Sequence, residues 1–497
     1  MQNSIDIDAQ KIREQCLDVK QELFSFAKFV GFTCALNSCR IFGACGYAAH
    51  LIFLVIFVAP FTNKNIYRAV IKNPKRLVSK DAVYDFLRAK PSNWRTFLYR
   101  IGLKLMHYFS GLTSKKHKKA FIIDDTPLKK NSSKFVELLS KCYDHVEHKF
   151  FKGFRLLNIT WFDGYSLVPA FFSLLASRDI KNRYNETSKP LDKRSNSFKR
   201  REEAISGAKN AVLKFVDYAA SKFRGYFDAI VFDSWFAFSE LIYKISKVTT
   251  VVCMIKKNAQ LKFMVNNRTI LAKGIYRILT KKCGKAKVIG SMICDMIYKH
   301  DNIEEIVKVK IVFLRHRKTG DWIPILSTNI KWTESEIIEV YGLRWGIEVF
   351  HRDVKQFFNI QTGCQSTDFD ALYAYITIAY IQYSFISYKR RKNNDKRTIG
   401  ELFYCVYDEI KSISFEEAYE NALKDAIERI KMMSFIGKNK NGNKVLCIEV
   451  DVVENIMSSV SNHALSIENS IRSMIDGLVG CINIESDLAD RLQSAAA

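Results

Sequence analysis

Two hydrophobic periods run along this chain, and the changes between them divide it. From the start to about residue 115 the apolar spacing is helical. Ala44 to Phe61, ACGYAAHLIFLVIFVAPF, is apolar all round, the pattern of a helix buried on every side. Its length of about 18 residues also reaches the lower limit for a membrane span. Gly46, His50 and Pro60 interrupt it and no second such run occurs, so a core helix is the expectation and a membrane anchor the alternative. Ser79 is placed to cap a short amphipathic helix through Ala82, Val83, Phe86 and Leu87. Basic residues surround that helix: Arg68, Lys72, Lys75, Arg76, Arg88 and Lys90. Short basic helices joined by a turn suit insertion into a DNA groove, although many small helical domains share the pattern.

At Lys119 the period changes. AFIIDDTPLKK reads as a strand ending in two carboxylates and a turn. FRLLNITWFDGYSLVPAFFSLL reads as a hairpin about its Asp-Gly pair. Arg178 to Arg201 is polar, basic and without period, the pattern of a loop that could lie on a phosphate backbone. Helical spacing returns from Glu202 to Phe223. FDAIVFDSWF then gives a buried strand ending in Asp233. Residues 251–329 alternate and turn repeatedly, which predicts a β-rich insertion. Thr333 to Phe358 has the spacing of one long helix, opened by a capping box of Thr333 and Glu336. Asp368 to Tyr388 is an apolar, Tyr-rich helix, and from about 395 onward amphipathic helical segments surround a polar turn near KNKNGNK.

Placed at about 100° per residue, Tyr341, Arg344, Glu348, Arg352 and Lys355 of the long helix fall within about 80° of one another. Val340, Leu343, Ile347, Phe350, Val354, Phe357 and Phe358 take the opposite side. The polar stripe fits a solvated face laced by i,i+4 pairs. It also fits a site that holds a metal and a phosphate chain together.

Composition favours the second reading. The chain has 497 residues, room for two to four domains. Its 77 Lys and Arg against 51 Asp and Glu leave a formal charge of +26, which suits a polyanionic partner. A Lys-rich coding bias would raise the same number without a partner. The 12 cysteines include no C-x-x-C pair. Cys34, Cys39, Cys45 and His50 match no zinc spacing, so buried, reduced thiols are expected. The first residues are polar and carry both charge signs, unlike a secretory signal.

Two strands thus end in acids, Asp124–Asp125 and Asp233, and a third acid, Glu348, lies on the long helix. Three carboxylates in one place hold two Mg²⁺ ions, the arrangement that serves in-line phosphoryl displacement. Any one of these acids alone reads as a turn or cap residue.

Together these motifs resemble the DDE-type transposases of bacterial insertion sequences, specifically the insertion-sequence-four family. Its Y-x2-R-x3-E-x6-K signature is complete in Tyr341, Arg344, Glu348 and Lys355, preceded by IDDT at Ile123–Thr126 and FDSWF at Phe232–Phe236. The resemblance spans roughly residues 45 to 390. It implies an RNase H-like α/β core interrupted by a β-rich insertion. The implied divisions are a helical N-terminal DNA-binding domain (1–115), the first part of the core (116–249), the insertion (250–330), the second part of the core (331–390) and a helical C-terminal region (391–497). The implied catalytic and metal-binding triad is Asp125, Asp233 and Glu348, with Asp125 chosen over Asp124 by motif alignment. Tyr341, Arg344 and Lys355 are the implied DNA contacts, and Arg352 joins them from its position on the same face. The implied cofactor is two Mg²⁺ ions, with Mn²⁺ as a substitute. The implied partners are double-stranded DNA, as terminal inverted repeats and target, and a second copy of the chain on that DNA. No membrane partner is expected, and the expected location is the bacterial cytoplasm, at the nucleoid. An aromatic of the insertion would stack on a flipped base, with Trp322 and Trp332 as candidates, although packing is the favoured reading of each. Lys129 and Lys130 fit either a DNA contact or a solvated turn. Two other readings stay open: an inactive DNA-binding derivative of a transposase, and an RNase H-like nuclease without strand transfer.

Overall fold

The structure, a computed structural model, describes residues 22–412 apart from short stretches at 63, 71–77, 145, 188–190, 258–259, 283–285, 301–302 and 317–320, together with two short strands near 440. The chain forms two compact units. One is Gln21–Asp408; the other joins Met1–Lys20 to Glu409–Ala497.

The larger unit is organised about one sheet. Its strands are β1 Ala120–Lys129, β2 Ser140–Asp144, β3 Lys149–Phe162, β4 Leu167–Leu175, β5 Ala229–Phe232, β6 Thr250–Met254, β7 Lys262–Val265, β8 Arg268–Ile270, β9 Val288–His300, β10 Ile303–Arg315 and β11 Trp322–Ser327. They lie in the order β2-β3-β1-β5-β6-β11-β10-β9-β7-β8, with β4 also on β3. The Asp163–Gly164 turn joins β3 and β4 as expected, and the Asp163 carboxylate accepts from the Tyr165 and Ser166 amides at 2.9 and 2.7 Å. β1, β5 and β6 are parallel, and Ile123, Phe232 and Cys253 sit at one level. Strands of residues 250–330 therefore continue the sheet of β1 and β5; β6 pairs with β5 on one side and β11 on the other. The alternation read in that segment is correct, but alternation says nothing about which strand it joins.

Helices cover both faces. Those before the sheet are α1 (22–30), α2 Phe32–Ser38, α3 Ala49–Val58, α4 Ile66–Val70, α5 Lys80–Leu87 and α6 Trp94–Leu112. The later ones are α7 Asn196–Ser206, α8 Ala208–Lys222, α9 Ser239–Ser246, α10 Ala272–Ile278, α11 Glu334–Gly342, α12 Trp345–Gln356, α13 Phe369–Lys392 and α14 Ile399–Ser412. One sheet face packs Ala120, Ala229, Val231 and Val252 against Ile337 and Val340 of α11. The other sets Phe121 against Phe215 of α8 and against Phe223, ring centroids 5.0 and 5.6 Å apart. α13 is buried along nearly its whole length and carries α3, α5 and α6 on its flank. Ser79 caps α5 by accepting from the Ala82 amide at 3.1 Å, and Ala82, Val83, Phe86 and Leu87 are buried as the spacing predicts. Lys72, Lys75 and Arg76 lie outside the described residues.

The apolar run near residue 50 is the ten-residue core helix α3, with Leu51, Ile52, Phe53, Ile56 and Phe57 buried. Among the described residues no helix is long and apolar enough to cross a membrane. Cys39 is buried, but Cys34 and Cys45 are exposed, contrary to the expectation for that cluster.

The stretch read as a loop to Arg201 ends earlier. Ser195 caps α7, which begins at Asn196. Arg200 and Arg201 are buried against Asp370 of α13 at 2.5 and 2.8 Å, and Arg201 also holds Glu137 at 2.6 Å. Their charge serves the interior, where an arginine is tolerated only when paired. In the smaller unit, Ile436–Lys438 and Lys444–Leu446 pair antiparallel; the polar turn expected within KNKNGNK lies outside the described residues. The helical segments expected around that turn lie outside the described residues.

Candidate active site

β1 does not stop at its acids. It runs four residues beyond Asp125, so Asp124 and Asp125 occupy strand positions and their side chains leave on opposite faces. Asp124 belongs with Ala120 and Ile122, on the face that α11 covers. Extending the parallel register by one residue sets Asp124 beside Asp233, which directly follows β5. Burial first, and then the Asp233 and Asp125 charges, push the Asp124 carboxyl up to about 8. Its Oδ1 accepts from the Asp125 amide at 2.9 Å. Asp233 accepts from the Trp235 amide at 2.9 Å, which fixes the turn after β5.

Asp125 faces the other way. Its carboxylate is ion-paired to Arg155 of β3. Arg155 lies 5.0 Å from the centroid of the Trp235 ring. The structure therefore brings Asp124, and not Asp125, to Asp233. Adjacent strand residues cannot share a face, and motif spacing is blind to which of two neighbouring acids points inward.

The long helix is two. Thr333 caps α11, donating from its amide to Glu336 at 2.8 Å and accepting from the Glu336 amide at 3.2 Å. At Leu343 and Arg344 the dihedrals stay helical, but the amides of residues 343, 344, 346 and 347 bond three residues back. This tightened turn separates α11 from α12. Gly346 lies inside it, where a Cβ would sit 3.0 Å from the Phe162 ring of β3, so the ring would have to shift to admit a side chain.

The break leaves the polar stripe facing the acids. Arg344 Nη2 donates to Glu348 Oε1 at 2.5 Å and acts electrostatically on Asp124. Tyr341 is pushed up to about 12, chiefly by burial and opposed by Arg344, with the Asp233 charge also raising it. Lys355 Nζ donates to Thr126 Oγ1 at 2.6 Å, and burial lowers its pKa. Thr126 is two residues along from Asp124 on the same face. Arg352 is exposed and pairs with Asp353 at 3.1 Å. On the other side of the helix Val340, Ile347, Phe350, Val354 and Phe358 are buried, with Leu343 and Phe357 partly so.

A layer behind the acids escapes motif reading. Asn158 is the β3 partner of Asp124 and is fully buried. Its amide nitrogen lies 2.9 Å from His351 Nε2 of α12, and its carbonyl accepts from Tyr380 of α13. Burial drives the His351 pKa down to about 3, aided by Lys355 and Arg344, so the ring is neutral. A lone Asn inside the apolar run LLNITWF was the available signal.

Other expected contacts lie elsewhere. Lys129 pairs with Asp144 at 3.1 Å and Glu147 at 2.5 Å. Lys130 is buried, donating to the Gln361 carbonyl. Trp322 stacks on Tyr276, ring centroids 4.7 Å apart, and Trp332 is in the core, so both pack.

Among the described residues no three His, Cys, Asp or Glu side chains converge closely enough to hold a metal ion as they stand. Glu348 is engaged by Arg344 instead. The donor set nevertheless suits a hard divalent cation. Burial, and then the neighbouring Asp233 charge, disfavour the ionised form of Asp124, a penalty that a bound cation relieves.

Asp124 within β1 and Asp233 just after the adjacent parallel strand β5, with an arginine- and lysine-bearing helix over them, are an arrangement compatible with a DDE-type nuclease core. The chain belongs to the family described as "Archaeal putative transposase ISC1217", which matches residues 115–378 and so covers Asp124, Asp233 and the whole of α12. No curated protein matches the chain.

Proposed function

We propose that the chain is a cut-and-paste DNA transposase. It binds terminal inverted repeats, hydrolyses the strand at the element's end and joins the 3′-hydroxyl to target DNA. Its catalytic carboxylates are Asp124, Asp233 and Glu348, with Asp124 in the place that motif alignment gives to Asp125. The observation that carries this reading is the shared level and face of Asp124 and Asp233 beneath α11 and α12. The complete Tyr341, Arg344, Glu348, Lys355 signature supports placement near the insertion-sequence-four group, with the core read as RNase H-like, the strands of 250–330 as its insertion and residues 1–115 as a DNA-binding part.

The three carboxylates would hold two Mg²⁺ ions, or Mn²⁺ in their place, once Glu348 is released from Arg344. Bound Mg²⁺ supplies an activated water or 3′-hydroxyl and stabilises the leaving oxygen. The chain's own groups do the rest. Arg344, already at the acids, and Lys355, with its ammonium held by Thr126, receive phosphate oxygens. Tyr341 stays a neutral hydroxyl at working pH and donates to the DNA without adding charge. Asn158, His351 and Tyr380 fix the floor under Asp124 and lock α12 to the sheet. A pair of DNA ends requires a pair of subunits, so a homodimer on DNA follows. The test is Mg²⁺-dependent nicking of a duplex carrying the element's end. Glu348→Ala is expected to abolish cleavage while DNA binding persists; a variant that cuts normally would remove Glu348 from the triad. A nuclease without strand transfer would cut but never join.

A further inference from the structure

We infer that the outer arm formed by β2 and the first residues of β3 is a second DNA-docking surface, one that carries duplex DNA away from the scissile phosphate. The inference rests on the transposase reading. β3 is longer than its neighbours. From Gly153 to Phe162 it pairs with β1, whereas from Lys149 to Lys152 its ladder partner is β2. Asp124 pairs with Asn158, and cross-strand partners share a face, so residues 156, 154, 152 and 150 of β3 follow Asp124's face outward. In β2, Lys141 pairs with Lys152 and Tyr143 with Phe150, which brings them to the same face.

That face and its reverse differ in charge. On the reverse side Arg155 is neutralised by Asp125, and Lys129 by Asp144 and Glu147, with Lys149 alone at the strand's start lacking an ion pair among the described residues. On the side of the acids, neither Lys141 nor Lys152 is ion-paired among the described residues. Lys141 Nζ rests 4.4 Å from the Phe150 ring centroid, and Lys152 Nζ 4.9 Å from that of Tyr184. Phe150 is 63 % exposed and Tyr184 48 %. Phe150 also packs edge-on against Tyr143 at 5.1 Å. Two uncompensated ammoniums, each steadied by an exposed ring, are suited to phosphates with sugars and bases beside them. A strand rises about 3.3 Å per residue, so Lys152 lies about 20 Å along β3 from Asn158 and Phe150 about 26 Å. At about 3.4 Å per step, that is the span of six to eight base pairs. The occupant the charge selects is therefore the same duplex that enters the acids, held roughly two-thirds of a turn further on.

The test compares wild type with Lys141→Glu/Lys152→Glu on two end-bearing duplexes, with about 12 or about 3 base pairs on each side of the scissile phosphate. Binding is measured across a salt series in chelator, and Mg²⁺-dependent nicking is followed in parallel. On the long duplex the variant is expected to bind at least tenfold more weakly at about 0.1 M salt, with a log–log salt slope shallower by about two. On the short duplex the two proteins should bind alike, and Lys141→Arg/Lys152→Arg should retain wild-type affinity. Equal affinity and slope on the long duplex, with wild type binding and nicking, would overturn the arm alone. A wild type that neither binds nor nicks would overturn the transposase reading and the arm with it. A variant with altered oligomeric state but unaltered DNA affinity would assign the face to a second copy of the chain and overturn the inference.

Discussion

Asp124→Asn is the most informative single substitution, because the folded protein strains against the charge at that position. In the metal-free protein, burial and the Asp233 charge raise the Asp124 pKa from 3.8 to about 8. The folded state therefore holds this proton more tightly than the unfolded chain does. The stability it contributes is complete below about pH 4 and is lost progressively as pH rises toward 8. At pH 7 the full linkage is about 4 kcal/mol, at roughly 1.4 kcal/mol per unit. The side chain keeps partial access to solvent, and screening reduces the figure to about 2 kcal/mol. Asp124→Asn removes the penalty, so in chelator at pH 7 it should melt roughly 2–4 °C above wild type. The gap should close toward pH 4. Added Mg²⁺ should stabilise wild type and leave Asp124→Asn unmoved, since only the wild type offers the anionic pair. Asp125→Asn should keep the Mg²⁺ response while losing the ion pair to Arg155. Thermal melts of the three proteins across pH, with and without Mg²⁺, decide it. An Asp124→Asn protein that is no more stable at pH 7, together with an Asp125→Asn protein that no longer responds to Mg²⁺, would refute the assignment.

Other expectations follow from the same contacts. Asp370→Ala strands Arg200 in the interior beside α13 and leaves Arg201 with the Glu137 carboxylate alone, and should cost about 3–5 kcal/mol, read by chemical denaturation. Arg344→Ala removes the ion pair to Glu348, the contact with the Tyr341 ring and a charge that favours ionised Asp124, and should cost about 1–2 kcal/mol, while its DNA-binding salt slope falls by about one.

Much of this fold is legible in the chain itself. The capped α5, the β3–β4 hairpin, strand β1 and the capping box of α11 all follow from local signals: Ser79, Asp163–Gly164, the run AFII and Thr333 with Glu336. The three acid motifs are likewise visible in order. What is not legible depends on partners distant in sequence. The alternation of 251–329 gives no hint that β6 extends the sheet of β5. Arg200 and Arg201 look like loop charge until Asp370, some 170 residues later, is beside them. The break at Leu343–Arg344 carries no proline, and the close fit of Gly346 to the Phe162 ring of β3 is a contact distant in sequence. The choice between Asp124 and Asp125 needs the pleat of β1 and the position of Arg155, neither of which a motif contains.

The most direct test of the site is a Mg²⁺-dependent nicking assay on an end-bearing duplex with wild type, Asp124→Ala and Asp125→Ala at matched DNA occupancy. Wild type should cut, Asp124→Ala should fall to background, and Asp125→Ala should retain most of its cleavage. Loss of cutting in Asp125→Ala with cutting preserved in Asp124→Ala would contradict the two-faced reading of β1 and return the first acid to Asp125.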